Sequence, residues 1–315
     1  MENLNHTFRV VWNESLQVWQ AVAETSSSRG KTKSAKNARR RAVAAAVAAG
    51  WMGLGLAHAG ELPAGAQVVG GQAQVQTLGR VMTVQQSSDK LVLDWQSFSV
   101  GQGHTVNFVQ PNAQSVALNR VLGSDVSLIQ GALNANGKLF LVNPNGILFT
   151  PSARVDVGSL VASTLNISPA DFMAGQFRFE GDSSSAVENQ GQIRAGTGGA
   201  VALIAARIVN TGEIRAPGGD IVMGAGRKVR LDMGGTVQLD VEEGAFNAMI
   251  DQGGALKAPD GRVYLSARAA RDLVSSVINQ TGLIEANSLT GTGGLVALEA
   301  DQIALGAASK IDATG

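Results

Sequence analysis

The chain has 315 residues, 44% of them hydrophobic and 4% aromatic, with 39 glycines and no cysteine. That is too apolar for a disordered chain, and it leaves no disulfide framework and no thiolate metal site. Charge is balanced overall but segregated: residues 1–59 hold eight basic and three acidic side chains, leaving 17 and 22 beyond them, a net of −5. An acidic body lacks the basic patch that nucleic acid requires, so no nucleic-acid partner is expected.

A basic stretch opens at Arg29 and ends in Arg39-Arg40-Arg41, and residues 42–59 carry no charge. Ala57-His58-Ala59 then places small residues at the two positions a signal peptidase reads. Basic region, apolar region and cleavage site together predict a secretory signal, cut after Ala59, with the Sec machinery and signal peptidase as partners. The Ala- and Gly-rich apolar run is short for a permanent helix across about 30 Å of hydrocarbon. The leader is longer than the roughly 15–30 residues an ordinary signal needs. Residues 29–59 supply the n-, h- and c-regions and residues 1–28 are an extension. In that extension Trp12 and Trp19 suit a small hairpin core.

Beyond the leader the pattern is β. Strands are predicted across residues 68–98, at 101–109 up to the turn Gln110-Pro-Asn-Ala113, and at 115–122. Two apolar runs at 138–149 flank the turn Asn143-Pro144-Asn145-Gly146. Pro144 pre-sets φ, Asn145 tolerates the second turn position and Gly146 suits the exit. One short helix is expected near 168–174, with Ser168 as N-cap and Pro169 at the first helical position.

A repeat then sets the architecture. Gly198-Gly-Ala-Val-Ala-Leu-Ile-Ala205 recurs as Gly218-Gly-Asp-Ile-Val-Met-Gly-Ala225, Gly261-Arg-Val-Tyr-Leu-Ser-Ala267 and Gly293-Gly-Leu-Val-Ala-Leu-Glu-Ala300. Between these, Val187-Glu-Asn-Gln-Gly-Gln-Ile-Arg-Ala195 recurs as Val209-Asn-Thr-Gly-Glu-Ile-Arg-Ala216 and Ile278-Asn-Gln-Thr-Gly-Leu-Ile-Glu-Ala286. A period near twenty, with short strands and Gly or Asn at the corners, predicts an all-β parallel β-helix. Ile193, Val201, Leu203, Ile208, Ile214 and Ile221 should face inward. Asn189, Asn210 and Asn279 should either stack as a ladder or bond their own turns. The first strands after Gly60 should cap the open edge. A β-sandwich is the competing architecture, but its strands do not usually repeat one word at one period.

The words Asn119-Arg120-Val121, Gly131-Ala-Leu-Asn-Ala-Asn-Gly137 and Asn143-Pro-Asn-Gly-Ile147 stand here in one order. Together with residues 155–167 and 177–181, they resemble the core of the two-partner secretion domain that opens filamentous haemagglutinin-like exoproteins. The leader resembles the extended signal peptide region of large secreted Gram-negative proteins. The resemblance covers the leader and residues 60–226. It implies a right-handed parallel β-helix of the pectin-lyase-like kind with N-terminal capping strands, and residues 227–315 would add further coils of a truncated chain. It also implies export through the periplasm to the cell surface or medium, by an outer-membrane β-barrel whose POTRA domains bind this domain. In that family the secretion motifs correspond to Asn119 and Arg120, and to Asn143, Pro144, Asn145 and Gly146. They would act through contact with the transporter or through folding.

Two other classes compete. β-Helix enzymes acting on polysaccharides use clustered carboxylates. Here the acids Asp232, Asp240, Glu242 and Glu243 read as the solvated faces of alternating strands, and His104 is the one histidine after the leader. No enzyme, metal or cofactor is therefore expected. A longer chain would carry an adhesin or a contact-dependent inhibition toxin, with a host carbohydrate or receptor as partner of a C-terminal part.

Overall fold

The computed structural model describes residues 8–13, 18–23, 61–270, 275–288 and 294–314. In the leader, Phe8–Asn13 and Val18–Ala23 form an antiparallel hairpin that sets Trp12 opposite Trp19. The expected cleavage residues Ala57 and Ala59 lie outside the described residues.

From residue 81 onward the chain winds into a parallel β-helix with three faces. The first face stacks Val81–Gln86, Thr105–Val109, the opening halves of Ala132–Val142 and Arg154–Ser163, then Gln192–Ala195, Glu213–Arg215, Ala255–Lys257, Leu283–Glu285 and Lys310–Asp312. The second face stacks Lys90–Trp95, Val116–Val121, the closing halves of the same two long strands, Val201–Ala205, Asp220–Ala225, Arg262–Ala267 and Leu295–Glu299. The third runs from Ser127–Ile129 through Ile147–Phe149, Ala186–Asn189, Arg207–Asn210, Met249–Gln252 and Val277–Gln280 to Gln302–Leu305. Every one of these pairings is parallel, and the coils continue without a break across position 226.

The alternation expected of strands fills the interior. Ile193 lies in register with Ile214, Leu256 and Ile284, and Val201 with Ile221 and Val263, all of them buried. All six residues expected to face inward do so. Each such side chain, once buried, stabilises the fold by about 1.5–3 kcal/mol.

The repeated Gly-Gly word has a steric cause. A Cβ at Gly199, Gly219 or Gly261 would lie 1.8 Å from the carbonyl oxygen of Gly158, Gly199 or Gly219 on the coil before. Only glycine lets the backbone corners touch in this way.

Two insertions leave the coils and return to cover the second face. One holds the helix Pro169–Ala174, capped by the Ser168 hydroxyl on the Asp171 N–H and closed by Gly175 at φ 78°. The other holds Lys228–Asp232 and Gln238–Glu243, which pair antiparallel with each other, and Lys228–Asp232 also pairs antiparallel with Phe177–Glu180. Val92, Phe140, Val161, Ala202 and Val222 thus meet Phe172, Phe179, Val229 and Leu239 in a second apolar core. Strands buried on both faces read as continuous apolar runs, which is why Leu-Phe-Leu-Val and Val-Ala-Leu-Ile-Ala show no alternation.

The cap is where the sequence placed it. Gln67–Gly70 and Ala73–Leu78 pair antiparallel with Lys90–Trp95 and Val81–Gln86, and Leu62, Ala73 and Val75 pack over the first coil.

The asparagine ladder forms with one member changed. Asn189 donates to Asn210 Oδ1 at 2.8 Å, and Asn210 to Gln252 Oε1 at 2.8 Å. In register with them stands Gln280, whose amide donates to the Gly282 carbonyl of its own corner. Asn279 points outward and donates to Asp251 at 2.6 Å. Ile278 must lie over Ile250, and strict alternation then sends the next residue to solvent. Asn210→Ala therefore leaves the Asn189 amide donor and the Gln252 amide oxygen without that partner in the interior, and should cost about 2–4 kcal/mol. Asn279→Ala should cost under about 1 kcal/mol. Urea unfolding midpoints of the two variants test this register directly.

Candidate functional site

The residues singled out as secretion motifs meet at one corner, where the second face turns into the third on the second and third coils. Asn119 follows Leu118 on the second face and lies in register between Leu93 and Leu141, so its side chain enters the interior. It is fully buried, accepts from the Trp95 indole N–H at 2.9 Å and donates to the Phe140 carbonyl at 3.2 Å. Arg120 points the other way. Its guanidinium grips both oxygens of Asp94 at 2.8 and 2.7 Å, and each side chain of the pair is under 15% exposed. A two-pronged arginine–carboxylate pair of this kind is both strong and directional.

Two residues after Leu141, Asn143 is also fully buried. It donates to the Asp125 carbonyl and to Ser127 Oγ, both at 2.9 Å, and accepts from the Asn145 backbone N–H at 2.9 Å. Asn145 then reaches back one coil to the Gly123 carbonyl at 2.8 Å. Gly146 closes the turn on the Asn143 carbonyl at 3.1 Å with φ 116°, a region that glycine enters freely. Pro144 alone of the six is exposed, and its carbonyl accepts from the Ser183 hydroxyl on the first insertion.

Sequence reading found these six residues but missed their partners Asp94, Trp95, Gly123, Ser127 and Ser183. Those partners sit 16 to 39 residues away and become visible only once the register is known. It also missed a second amide column at the corner between the first and second faces. There Gln110 bonds Gln86 Oε1 at 3.2 Å, the Ser115 carbonyl at 3.1 Å and the Gly137 N–H at 2.9 Å.

Several titratable groups elsewhere are held by neighbours. His104 is buried, with Nε2 3.2 Å from the Glu61 carboxylate, and it fastens the start of the cap. Asp240, Glu242 and Glu243 interleave with Arg230, Lys228 and Arg227 on the antiparallel sheet, at 2.9–4.0 Å. The Tyr264 phenol is raised above its ordinary value by burial and by the Glu299 carboxylate to which it donates. Among the described residues no three His, Asp or Glu side chains are placed to hold a metal ion.

Fold and corner together define a capped β-solenoid domain whose marked residues tie coil to coil. The comparisons with known proteins agree with that class. The TPS secretion domain matches residues 59–313, and the extended signal peptide of the type V secretion system matches residues 5–53. The chain belongs to the TPS secretion-domain family. A heme/hemopexin-binding protein of Haemophilus influenzae is 32% identical over 276 residues, covering 83% of this chain and 30% of that protein. A second Haemophilus influenzae heme/hemopexin-binding protein is 30% identical over 257 residues, covering 73% and 27%. The chain thus spans less than a third of the length of these relatives. Among solved structures, the HMW1 secretion domain from Haemophilus influenzae superposes with a TM-score of 0.60 at 28% identity, over 80% of this chain and 73% of that one. A filamentous hemagglutinin secretion domain shares the fold, with a TM-score of 0.50 at 19% identity over 80% of this chain and all of that one. The chain is accordingly a secreted exoprotein's secretion domain, exported through the periplasm and served by a cognate outer-membrane transporter.

Asn143→Ala should destabilise the domain by about 2–4 kcal/mol, because Ser127 and the Asn145 amide lose a buried partner. Pro144→Ala, at an exposed turn position, should cost under about 1 kcal/mol. Paired urea titrations measure both.

Proposed function

We propose that the transporter reads this domain before it folds, and that the domain then starts the β-helix outside the cell. The observation that carries this is the burial of Asn119 and Asn143 and the engagement of Arg120 by Asp94. Their polar atoms are spent on Trp95, Asp94, Ser127 and backbone carbonyls, so a partner meeting the folded domain finds Pro144 and only parts of Arg120 and Asn145 on its surface. In the extended chain the same segments are open strands, able to add to the sheet edge of a periplasmic POTRA domain by main-chain hydrogen bonds. Release on the far side lets the cap and first coil form, and each coil then offers its edge to the next. Coil formation outside biases the chain against sliding back and needs no nucleotide. No catalytic step is involved.

The relatives' names suggest what a longer chain would do. Capture of heme or of the hemopexin protein is one reading, and host attachment by the coils is another. A polysaccharide-active enzyme has less support, since the acids nearest one another are each matched to a basic neighbour.

The test separates folding from contact. Asn143→Ala and Asn119→Ala should lower secreted yield several-fold in parallel with their loss of stability, while the unfolded chain still binds the isolated periplasmic part of the transporter. Pro144→Ala should be secreted normally. If Pro144→Ala folds normally yet is not secreted, the transporter reads the folded turn and the proposal fails.

A further inference from the structure

The outer side of the first face carries a charge arrangement that neither the core nor the secretion corner uses. Outward residues there form rows along the helix axis. One row runs Thr83, Asn107, Asn134, Asp156, Arg194, Arg215, Lys257, Glu285, Asp312. Adjacent strands lie about 4.8 Å apart, so Arg194 and Arg215 stand side by side at that spacing. Like charges directly opposite destabilise a sheet. Among the described residues neither guanidinium has a carboxylate within 4.0 Å or any hydrogen-bond partner. The nearby acids stop short of an ion pair with either guanidinium. Glu213 is held by Lys257 at 3.2 Å, and Asp156 neighbours Arg194 in register on the side away from Arg215. On the antiparallel sheet, by contrast, Arg227, Lys228 and Arg230 all have acidic partners.

Arg154 joins them from the coil below, its guanidinium turned toward the carbonyls of Pro151 and Ala153. These side chains, with Gln192 and the carboxylates of Asp156 and Glu213, line a shallow cavity of about 280 Å³.

We propose that Arg194 and Arg215 bind an acidic glycan, with one carboxylate or sulfate bridging the two guanidinium forks. Planar forks match the oxygen pairs of such groups and hold them in a fixed orientation. Asn107 and Asn134, joined at 2.9 Å, continue the same line with amides suited to sugar hydroxyls. A ladder along a rod suits an extended chain.

The experiment uses the secreted chain and immobilised heparin as the sulfated-glycan probe, in about 0.15 M salt. The wild-type chain should be retained and should elute as salt rises. The double variant Arg194→Gln/Arg215→Gln should bind more weakly, on the order of ten-fold per arginine removed, while Arg230→Gln binds as wild type. The double variant should also melt at the wild-type temperature or above it, because a repulsion has been removed. The proposal is overturned if the wild type is not retained, if the double variant binds undiminished, or if Arg230→Gln loses as much. A lowered melting temperature of the double variant would mark the pair as structural and overturn it as well. So would binding to phosphatidylglycerol vesicles as tight as binding to heparin.

Discussion

The structure depends on one constraint: each coil must lie in register on the coil before it. Parallel strands satisfy their backbone groups only through the neighbouring coil, so a coil alone has no folded state of its own. Apolar columns favour stacking but tolerate a slip along the axis of the strand. Buried amides do not. The Asn189–Asn210–Gln252 column, the Gln86–Gln110 column and the Asn143 corner each leave a polar atom stranded in the interior if a coil shifts by one residue. Glycine corners add a steric limit of the same kind, because backbone oxygens occupy the space where a Cβ would stand.

The second face shows how a solenoid gains thickness without losing its repeat. Its outward residues are as apolar as its inward ones, and the two insertions cover them. Asp220 anchors this cover, accepting from the Val237 N–H at 2.8 Å and from Arg262 at 3.0 Å. The four phenylalanines Phe140, Phe172, Phe177 and Phe179 meet beneath the helix, with ring centroids 5.0–6.5 Å apart. Helix and antiparallel sheet thus join coils that are distant in sequence. The corner carrying Asn143 lies beside the start of the first insertion and is tied to it through Ser183.

Much of this was legible in the sequence for physical reasons. The Gly-Gly and Asn words repeat because the same corner recurs on every coil. The helix could be read from Ser168 and Pro169 because capping is a local interaction. What escaped the reading was non-local. Asn279 shares its word with Asn189 and Asn210, which suits a ladder or a bond to its own turn, yet one extra residue before the glycine moves Gln280 into the column instead. The alternating segments at 228–243 were read as strands, but their antiparallel return over the second face depends on contacts with Phe177–Glu180 some fifty residues earlier. The six motif residues were identified by resemblance. Their burial, and the identity of Trp95 and Asp94 as partners, required the register.

The central claim is that order spreads from the capped front end, coil by coil. Pulse-labelling hydrogen exchange during refolding measures it most directly. Amides of residues 67–149 should gain protection first, followed by 192–225 and then 255–312. Protection that appears first in the later coils, or in all coils at the same rate, would contradict the account.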